Sequence, residues 1–190
     1  MEKQHHIQLL PGDIGETVFL PGDVSRAKII ADHFDSAELV ASSRQYNTFT
    51  GMYKGIKVSV TSTGIGGAAA AIAIEELVKV GAKNLIRIGT GGMIQTWLPR
   101  PAVLVITGAV RGDGTTREYF PPEFPAVADF HTVESMLASA EELGIEVHAG
   151  YEWSHDAFYA GSTLSKLDIL EIEKPWIDAG VLIVSQEAST

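Results

Sequence analysis

The sequence predicts an α/β fold. Strand-type and helix-type runs alternate along the chain, and several predicted strands end directly in glycine-rich turns. With 190 residues, 45% of them hydrophobic, the chain is long enough to bury a core and reads as one domain over residues 1–190.

The elements follow in order. Thr17–Leu20 is a strand that Pro21-Gly22-Asp23 breaks. A helix then starts near Ser25, a residue type suited to an N-cap, and carries Ile29, Ile30, His33 and Phe34. Val58–Thr63 alternates as a second strand, and Gly64-Ile65-Gly66-Gly67 turns the chain. Ala68–Val80 forms a helix with apolar Ile72, Leu77 and Val80, followed by Gly81 where a terminating glycine is expected. Leu85–Ile88 is a short strand that runs straight into Gly89-Thr90-Gly91-Gly92. Val103–Val110 is the clearest candidate for a buried strand. Arg111–Pro125 is a long polar loop with prolines, a kind of segment that often carries function. His131–Leu143 is helical and Gly144 closes it; Ile145–Tyr151 and Val181–Ser185 are further strands. The final Glu187-Ala188-Ser189-Thr190 reads as the opening of a helix.

Charge and composition exclude several classes. Fourteen Lys+Arg against 24 Asp+Glu give a formal charge of −10, which repels nucleic acid but leaves room for a local cationic pocket. Cysteine is absent, so no disulfide or thiolate chemistry is available, which suits a reducing cytoplasm. No stretch approaches the roughly 20 apolar residues of a membrane span, and the first residues lack the apolar run of a signal peptide. The six histidines show no ligand spacing beyond the adjacent His5-His6, so no metal is expected.

Three strand-to-turn junctions carry the candidate chemistry: Leu20-Pro21-Gly22-Asp23, Thr63-Gly64-Ile65-Gly66-Gly67 and Ile88-Gly89-Thr90-Gly91-Gly92. Ligands of open α/β sheets sit at the carboxyl ends of strands, where glycine lets them approach backbone N–H groups. Taken singly, each junction is also explained as a tight turn. None is a P-loop, and only Gly64-Ile65-Gly66 partly matches a dinucleotide fingerprint. Arg87 is more telling, because a guanidinium in an apolar strand calls for an anionic partner, either a ligand or a protein acid. Arg26 lies in the first turn of a predicted helix, where a bound anion would offset the unfavourable cation; an exposed arginine is the plainer alternative. Arg44, between Ser43 and Gln45, says nothing by itself.

Together these stretches resemble the nucleoside phosphorylase family that includes uridine phosphorylase and the hexameric purine nucleoside phosphorylases. The matching residues are His6-Ile7, Leu20–Arg26, Thr61–Gly67, Ile74–Leu77, Arg87–Gly92, Glu123–Asp129, Ser154–Tyr159 and Glu187–Ser189, in family order over nearly the whole chain. The resemblance implies a central mixed, twisted sheet flanked by helices. It implies an enzyme, a pentosyltransferase, in which inorganic phosphate attacks C1′ of a ribonucleoside and releases the base and ribose 1-phosphate. Phosphate is then a co-substrate, and no cofactor or metal is implied.

The resemblance also assigns residues. Gly22, Arg26, Arg87 and Thr90 would bind phosphate, with Arg44 reaching the phosphate of a neighbouring subunit. His6 would meet the 5′-hydroxyl across the same interface, and Glu187 would hold the ribose hydroxyls near Thr90. Gly91, Gly92 and Phe158 would line the base pocket, with Ser162 beside them. Arg87 and Glu187 carry the catalytic assignment. The implied assembly is a homodimer or a hexamer built as a trimer of dimers, in the cytoplasm, with small-molecule ligands.

The chain departs from the family pattern in places. Ser162 and Leu164 stand where uridine phosphorylases supply a glutamine and an arginine that read uracil. Ser185-Gln186-Glu187 replaces the usual Glu-Met-Glu, and Gln45 replaces the acid that holds an activating potassium ion in some relatives. The sequence stops before the family's last helix, strand and helix, and thus before the purine-protonating aspartate, so the expected fold lacks those elements. A nucleosidase using water and a non-catalytic nucleoside-binding protein are the alternative readings.

Overall fold

The computed structural model describes residues 2–161 and 169–190. The chain divides into two compact units, Met1–Gly89 and Thr90–Thr190. Each is α/β and each is built on a five-stranded mixed sheet.

In the first unit, β1 (Thr17–Pro21) leads into α1 (Val24–Ala31). β2 (Ser36–Ser43), β3 (Tyr46–Tyr53) and β4 (Ile56–Thr61) follow as an antiparallel meander. α2 (Gly67–Lys79) then carries the chain to β5 (Asn84–Ile88). The order is β2-β3-β4-β1-β5, with β1 parallel to both of its neighbours. Successive side chains of a strand face opposite ways, and β1 shows the consequence. Val18 and Leu20 pack with Ala73 and Leu77 of α2 and with Ile7 and Leu9 of the N-terminal segment. Phe19 packs with Ala27 and Ala31 of α1 and with Val60. The two faces of the sheet therefore have separate cores, one under each helix.

Helix ends follow local hydrogen-bond chemistry. Ser25, the N-cap expected from the sequence, is instead the second residue of α1. Asp23 takes the cap because its carboxylate accepts from both the Ser25 and Arg26 N–H groups. The helix stops at Ala31, so His33 and Phe34 lie beyond it, although Phe34 still packs on the α1 core. α2 runs as expected to within a residue at each end, and Gly81 beyond it has a φ of +113°.

The second unit contains β6 (Gly92–Met93), β7 (Val103–Arg111), α3 (Thr115–Tyr119), β8 (Ala126–Val127), α4 (Phe130–Leu143), β9 (Val147–Ser154), a 3-10 turn (Phe158–Gly161), α5 (Ile169–Asp178) and β10 (Ile183–Ser185). Its order is β6-β10-β9-β7-β8, parallel in the middle and antiparallel at both edges. Ile94, Trp153 and Val181 pack with Trp176 and Ile177 of α5, and Leu98, Leu182 and Ile183 pack with Leu104 and Ile106. Asp129 caps α4 through the Thr132 N–H, and Gly144 ends it in the left-handed region, as the sequence implied.

Other expectations need correction. β7 is not the best-buried strand: of its residues only Val105 and Gly108 are buried, whereas the polar-looking β4 buries Val58 to Thr61 without a break. Apolar composition marks a strand but does not say what covers it; both strands lie inside their sheets, and Val60 of β4 packs with Ala27 and Ala31 of α1. The 111–125 loop contains the short helix α3. Glu187–Thr190 forms a single turn, closed by the Thr190 N–H on the Glu187 carbonyl at 3.0 Å. β2, β3 and α5 were not anticipated. β2 is a largely exposed edge strand of mixed polarity, and α5 carries Pro175 within it, so neither shows the usual sequence pattern.

Leu77 is completely buried at the centre of the α2 core. Leu77→Ala is expected to destabilise the protein by about 2–5 kcal/mol in urea titration, through lost burial and the cavity left behind. A loss well under 1 kcal/mol would show that α2 does not close this core.

Candidate active site

The register of the first sheet places the predicted phosphate ligands. Leu20 pairs with Arg87 and Pro21 with Ile88, so β1 and β5 finish side by side at their carboxyl ends. The Arg87 guanidinium donates from Nη1 to the Leu20 carbonyl at 3.3 Å. The Gly64 N–H donates to the Gly22 carbonyl at 2.9 Å, bringing the second glycine turn alongside the first. A Cβ on Gly22 would lie 3.1 Å from the Gly64 carbonyl oxygen and 3.7 Å from Nη2 of Arg87. A Cβ on Gly89 would lie 3.3 Å from the same Nη2. Missing side chains on two turns thus clear the space around one half-buried cation.

Arg26 is half-buried in the first turn of α1, three residues after Asp23, whose carboxylate accepts its N–H at 3.1 Å. The Ser25 hydroxyl, then the Arg26 and Ser25 N–H groups, hold the Asp23 carboxyl below its usual range. The positive end of α1 therefore already has an internal anion, and its cap N–H groups are taken.

Arg44 and Gln45 form the two-residue turn between β2 and β3, with Ser43 paired to Tyr46. Arg44 is exposed and has a φ of +56°, a conformation that L-residues occupy only at a cost of about 1–2 kcal/mol. Ser62 holds the turn in place. Its hydroxyl donates to the Gln45 carbonyl at 2.6 Å and accepts the Asn47 N–H at 2.9 Å. Gly64, at φ +76°, leaves room for Gln45: a Cβ there would fall 2.7 Å from Gln45 Cγ. The Arg44 turn is thus seated on the Gly64 turn of the same chain.

Glu76 positions His6. Its carboxylate accepts the Ile7 N–H at 2.9 Å, the His6 N–H at 3.0 Å and the His6 ring Nδ1 at 2.7 Å. One nearly buried acid on α2 thereby anchors the N-terminal segment some 70 residues away. Burial alone pushes the Glu76 carboxyl up. The Ile7 N–H, the His6 ring and the His6 N–H outweigh burial and hold it below its ordinary value. With Nδ1 engaged, the imidazole has its other nitrogen left for a ligand.

In the second unit, Thr90, Gly91 and Gly92 are exposed and immediately follow Gly89. Gly91 has a packing reason to be glycine: a Cβ would lie 2.7 Å from both the Ile183 side chain and the Val184 carbonyl of β10. Phe158 is 65% exposed in the 3-10 turn, edge-on to Tyr159. Glu187, by contrast, is 7% exposed. Beside it, Gln186 donates to the Asp156 carbonyl at 2.8 Å, and Asp156 accepts the Gly114 N–H at 2.8 Å. Ser162 and Leu164 lie outside the described residues. Among the described residues no group of three or more His, Asp or Glu is placed to hold a metal ion, and no helix is long and apolar enough to cross a membrane.

Sequence reasoning missed Glu76, Ser62 and Asp113, all of them buried. Glu76 had a signal: it falls on the helical stripe with Ala70, Ala73 and Leu77. An acid on such a stripe needs dedicated donors.

Because the folded Glu76 carboxyl lies below its ordinary value, its contacts contribute fully above that value and are lost as pH falls through the folded one. Glu76→Gln is expected to lower stability near neutrality by about 1–3 kcal/mol, and the gap from wild type should narrow in acid, once the pH falls below the ordinary carboxylate value. Urea titrations near neutrality and in acid check this; a gap independent of pH would show that the charge is not involved.

The sequence profile of the Phosphorylase superfamily matches residues 16–188. The chain is 45% identical over 158 residues to the uridine phosphorylase of Thermococcus kodakarensis, covering 83% of this chain and 57% of that protein. It is 38% identical over 190 residues to the guanosine phosphorylase of Halorubrum lacusprofundi, covering 100% and 76%. With the uridine phosphorylase of Haemophilus influenzae it shares 35% over 196 residues, covering 97% and 77%. The chain thus spans between just over half and about three-quarters of the length of these relatives. On the strength of a match that takes in both units, the chain belongs to the phosphorylase superfamily.

Proposed function

We propose that the protein catalyses phosphorolysis of a ribonucleoside, with inorganic phosphate as co-substrate. The observation that carries this reading is the position of the Arg87 guanidinium at the carboxyl ends of parallel strands, beside the glycine turns of Gly22 and Gly89. An incoming water needs no such cation, whereas a phosphate dianion does, which favours phosphorolysis over hydrolysis. The relatives named as uridine and guanosine phosphorylases support the same reaction class.

The roles follow from the chemistry of each group. Arg87 and Arg26, with the backbone at Gly22 and the Thr90 hydroxyl, bind and orient phosphate for attack on C1′. As phosphate bonds to C1′ and the C1′–N bond breaks, charge moves from phosphate to the base. The cationic groups therefore serve best when they steer the dianion without neutralising it. Glu187 accepts from the ribose hydroxyls, Phe158 packs against base or sugar, and Gly91 and Gly92 line the base pocket, to which the resemblance also assigns Ser162. Relatives of both purine and pyrimidine name match the chain, and the reading of the base is left to the substrate panel below. The cysteine-free composition suits a reducing cytoplasm.

We place Arg44 and His6 in the site of a second copy, in a homodimer or a trimer of dimers. Two features support this. Arg44 is exposed on a strained turn that Ser62 holds rigid, and His6 is oriented by Glu76 with its ring only partly covered.

Base release from a panel of ribonucleosides, with and without phosphate, tests the reaction. Release that ignores phosphate would reject it. Arg87→Ala is expected to cost about 2–4 kcal/mol of transition-state stabilisation, read as a fall in kcat/KM for phosphate. Wild-type phosphorolysis in that variant would remove Arg87 from the mechanism. Shared sites make a further prediction: Arg44→Ala and Arg87→Ala, each inactive alone, should recover about a quarter of wild-type activity when unfolded and refolded as a mixture. No recovery would place Arg44 in its own chain's site.

A further inference from the structure

We infer that Asp113 is a positioning residue that sets the Glu187 carboxylate through the Ser189 hydroxyl. This rests on the ribose role proposed for Glu187.

The argument begins where β7 ends. The Gly112 N–H donates to the Ser154 carbonyl at 2.8 Å, and a Cβ on Gly112 would fall 2.4 Å from the Trp153 indole nitrogen. The chain therefore leaves β7 flush against the end of β9, and Asp113 is delivered into the interior, 1% exposed. There its carboxylate accepts the Thr116 N–H at 2.7 Å, the Thr116 hydroxyl at 2.8 Å and the Ser189 hydroxyl at 2.6 Å. Burial raises the Asp113 carboxyl, but the Ser189 hydroxyl and the Thr116 donors outweigh it, so the group is held ionised.

Arg111 makes this arrangement rigid. Its Nε donates to the Thr116 hydroxyl at 3.1 Å, and its terminal nitrogens donate to the carbonyls of Phe120, Pro121 and Phe124 at 2.8, 2.6 and 2.7 Å. The guanidinium thus gathers the loop around Thr116, and Thr116 fixes the face of Asp113 that meets Ser189. The long 111–125 loop acquires a purpose: it is the support for one buried carboxylate.

The Ser189 contact is the member of this set that reaches another part of the chain, 76 residues on. Ser189 also donates its N–H to the Ser154 hydroxyl at 3.4 Å, and the Thr190 N–H closes the turn on the Glu187 carbonyl. Glu187 is therefore bracketed, by β10 pairing with β9 through Ser185 on one side and by Asp113 acting on Ser189 on the other. A displacement of about 1 Å in a substrate-positioning group costs on the order of a hundredfold in rate, so the bracket matters if Glu187 must meet sugar hydroxyls.

The test compares a ribonucleoside with its 2′-deoxy counterpart in wild type, Ser189→Ala, Asp113→Asn and the double variant, together with KM for phosphate and Tm. Ser189→Ala is expected to lower kcat/KM for the ribonucleoside about tenfold, to lower it much less for the deoxynucleoside, and to leave KM for phosphate unchanged. The double variant should lose no more of the ribo-over-deoxy preference than Asp113→Asn does alone. An unchanged preference in Ser189→Ala overturns the inference, as does an equal fall for both substrates that tracks Tm. Should Asp113→Asn fail to fold, Ser189→Ala decides by itself. Absence of phosphate-dependent turnover in wild type is failure of the proposed reaction. The preference is then read as calorimetric affinity for the two nucleosides, and equal preference in wild type and Ser189→Ala overturns the link.

Discussion

The parallel pairing of β1 with β4 and β5 is the constraint on which the chemistry of the first unit rests. Parallel strands end together, so loops distant in sequence are brought to one edge without any contact of their own to draw them there. Pro21 and Gly22 continue that pairing into the turns, accepting the Thr63 and Gly64 N–H groups at 2.9 Å each. Arg87 arrives from the other side through its register with Leu20. An extra residue in β5 ahead of Arg87 would turn the guanidinium to the opposite face of the sheet, because side chains alternate.

Buried carboxylates act as internal struts. Glu76 ties the N-terminal segment to α2, and Asp113 ties the loop after β7 to the turn after β10. In each case an acid that is costly to bury is supplied with three donors: those of Glu76 all come from the distant N-terminal segment, whereas Asp113 has two from nearby Thr116 and one from distant Ser189. The distant donors are the ones that carry a residue assigned to ligand binding, His6 in one case and Glu187 in the other. Such struts specify geometry more sharply than apolar packing, since a carboxylate tolerates little movement of its donors. They also make the assigned residues sensitive to changes at positions that never meet a ligand.

Much of the fold was legible in the chain. Alternation in Val58–Thr63, the α2 stripe, the Gly81 and Gly144 terminators and the glycine junctions each have a local cause, so each can be read without neighbours. The edge strand β2 and the proline-bearing α5 could not be read this way, because their stability comes from pairing and packing that no local window records. The burial ranking of β4 over β7 belongs to the same class: what packs on each strand, not its composition, decides it.

The candidate site divides along the same line. The sequence by itself determined the chemical inventory: which glycines could open a turn, and which arginines and which glutamate stood in stretches resembling a phosphorylase. Only the tertiary structure decided what orients them. Glu76 beside His6, Ser62 beneath the Arg44 turn and Asp113 behind Ser189 are contacts across 69–70, 17 and 76 residues. Residue type and spacing report what a side chain can do, whereas orientation depends on the sum of many long-range packing choices made together.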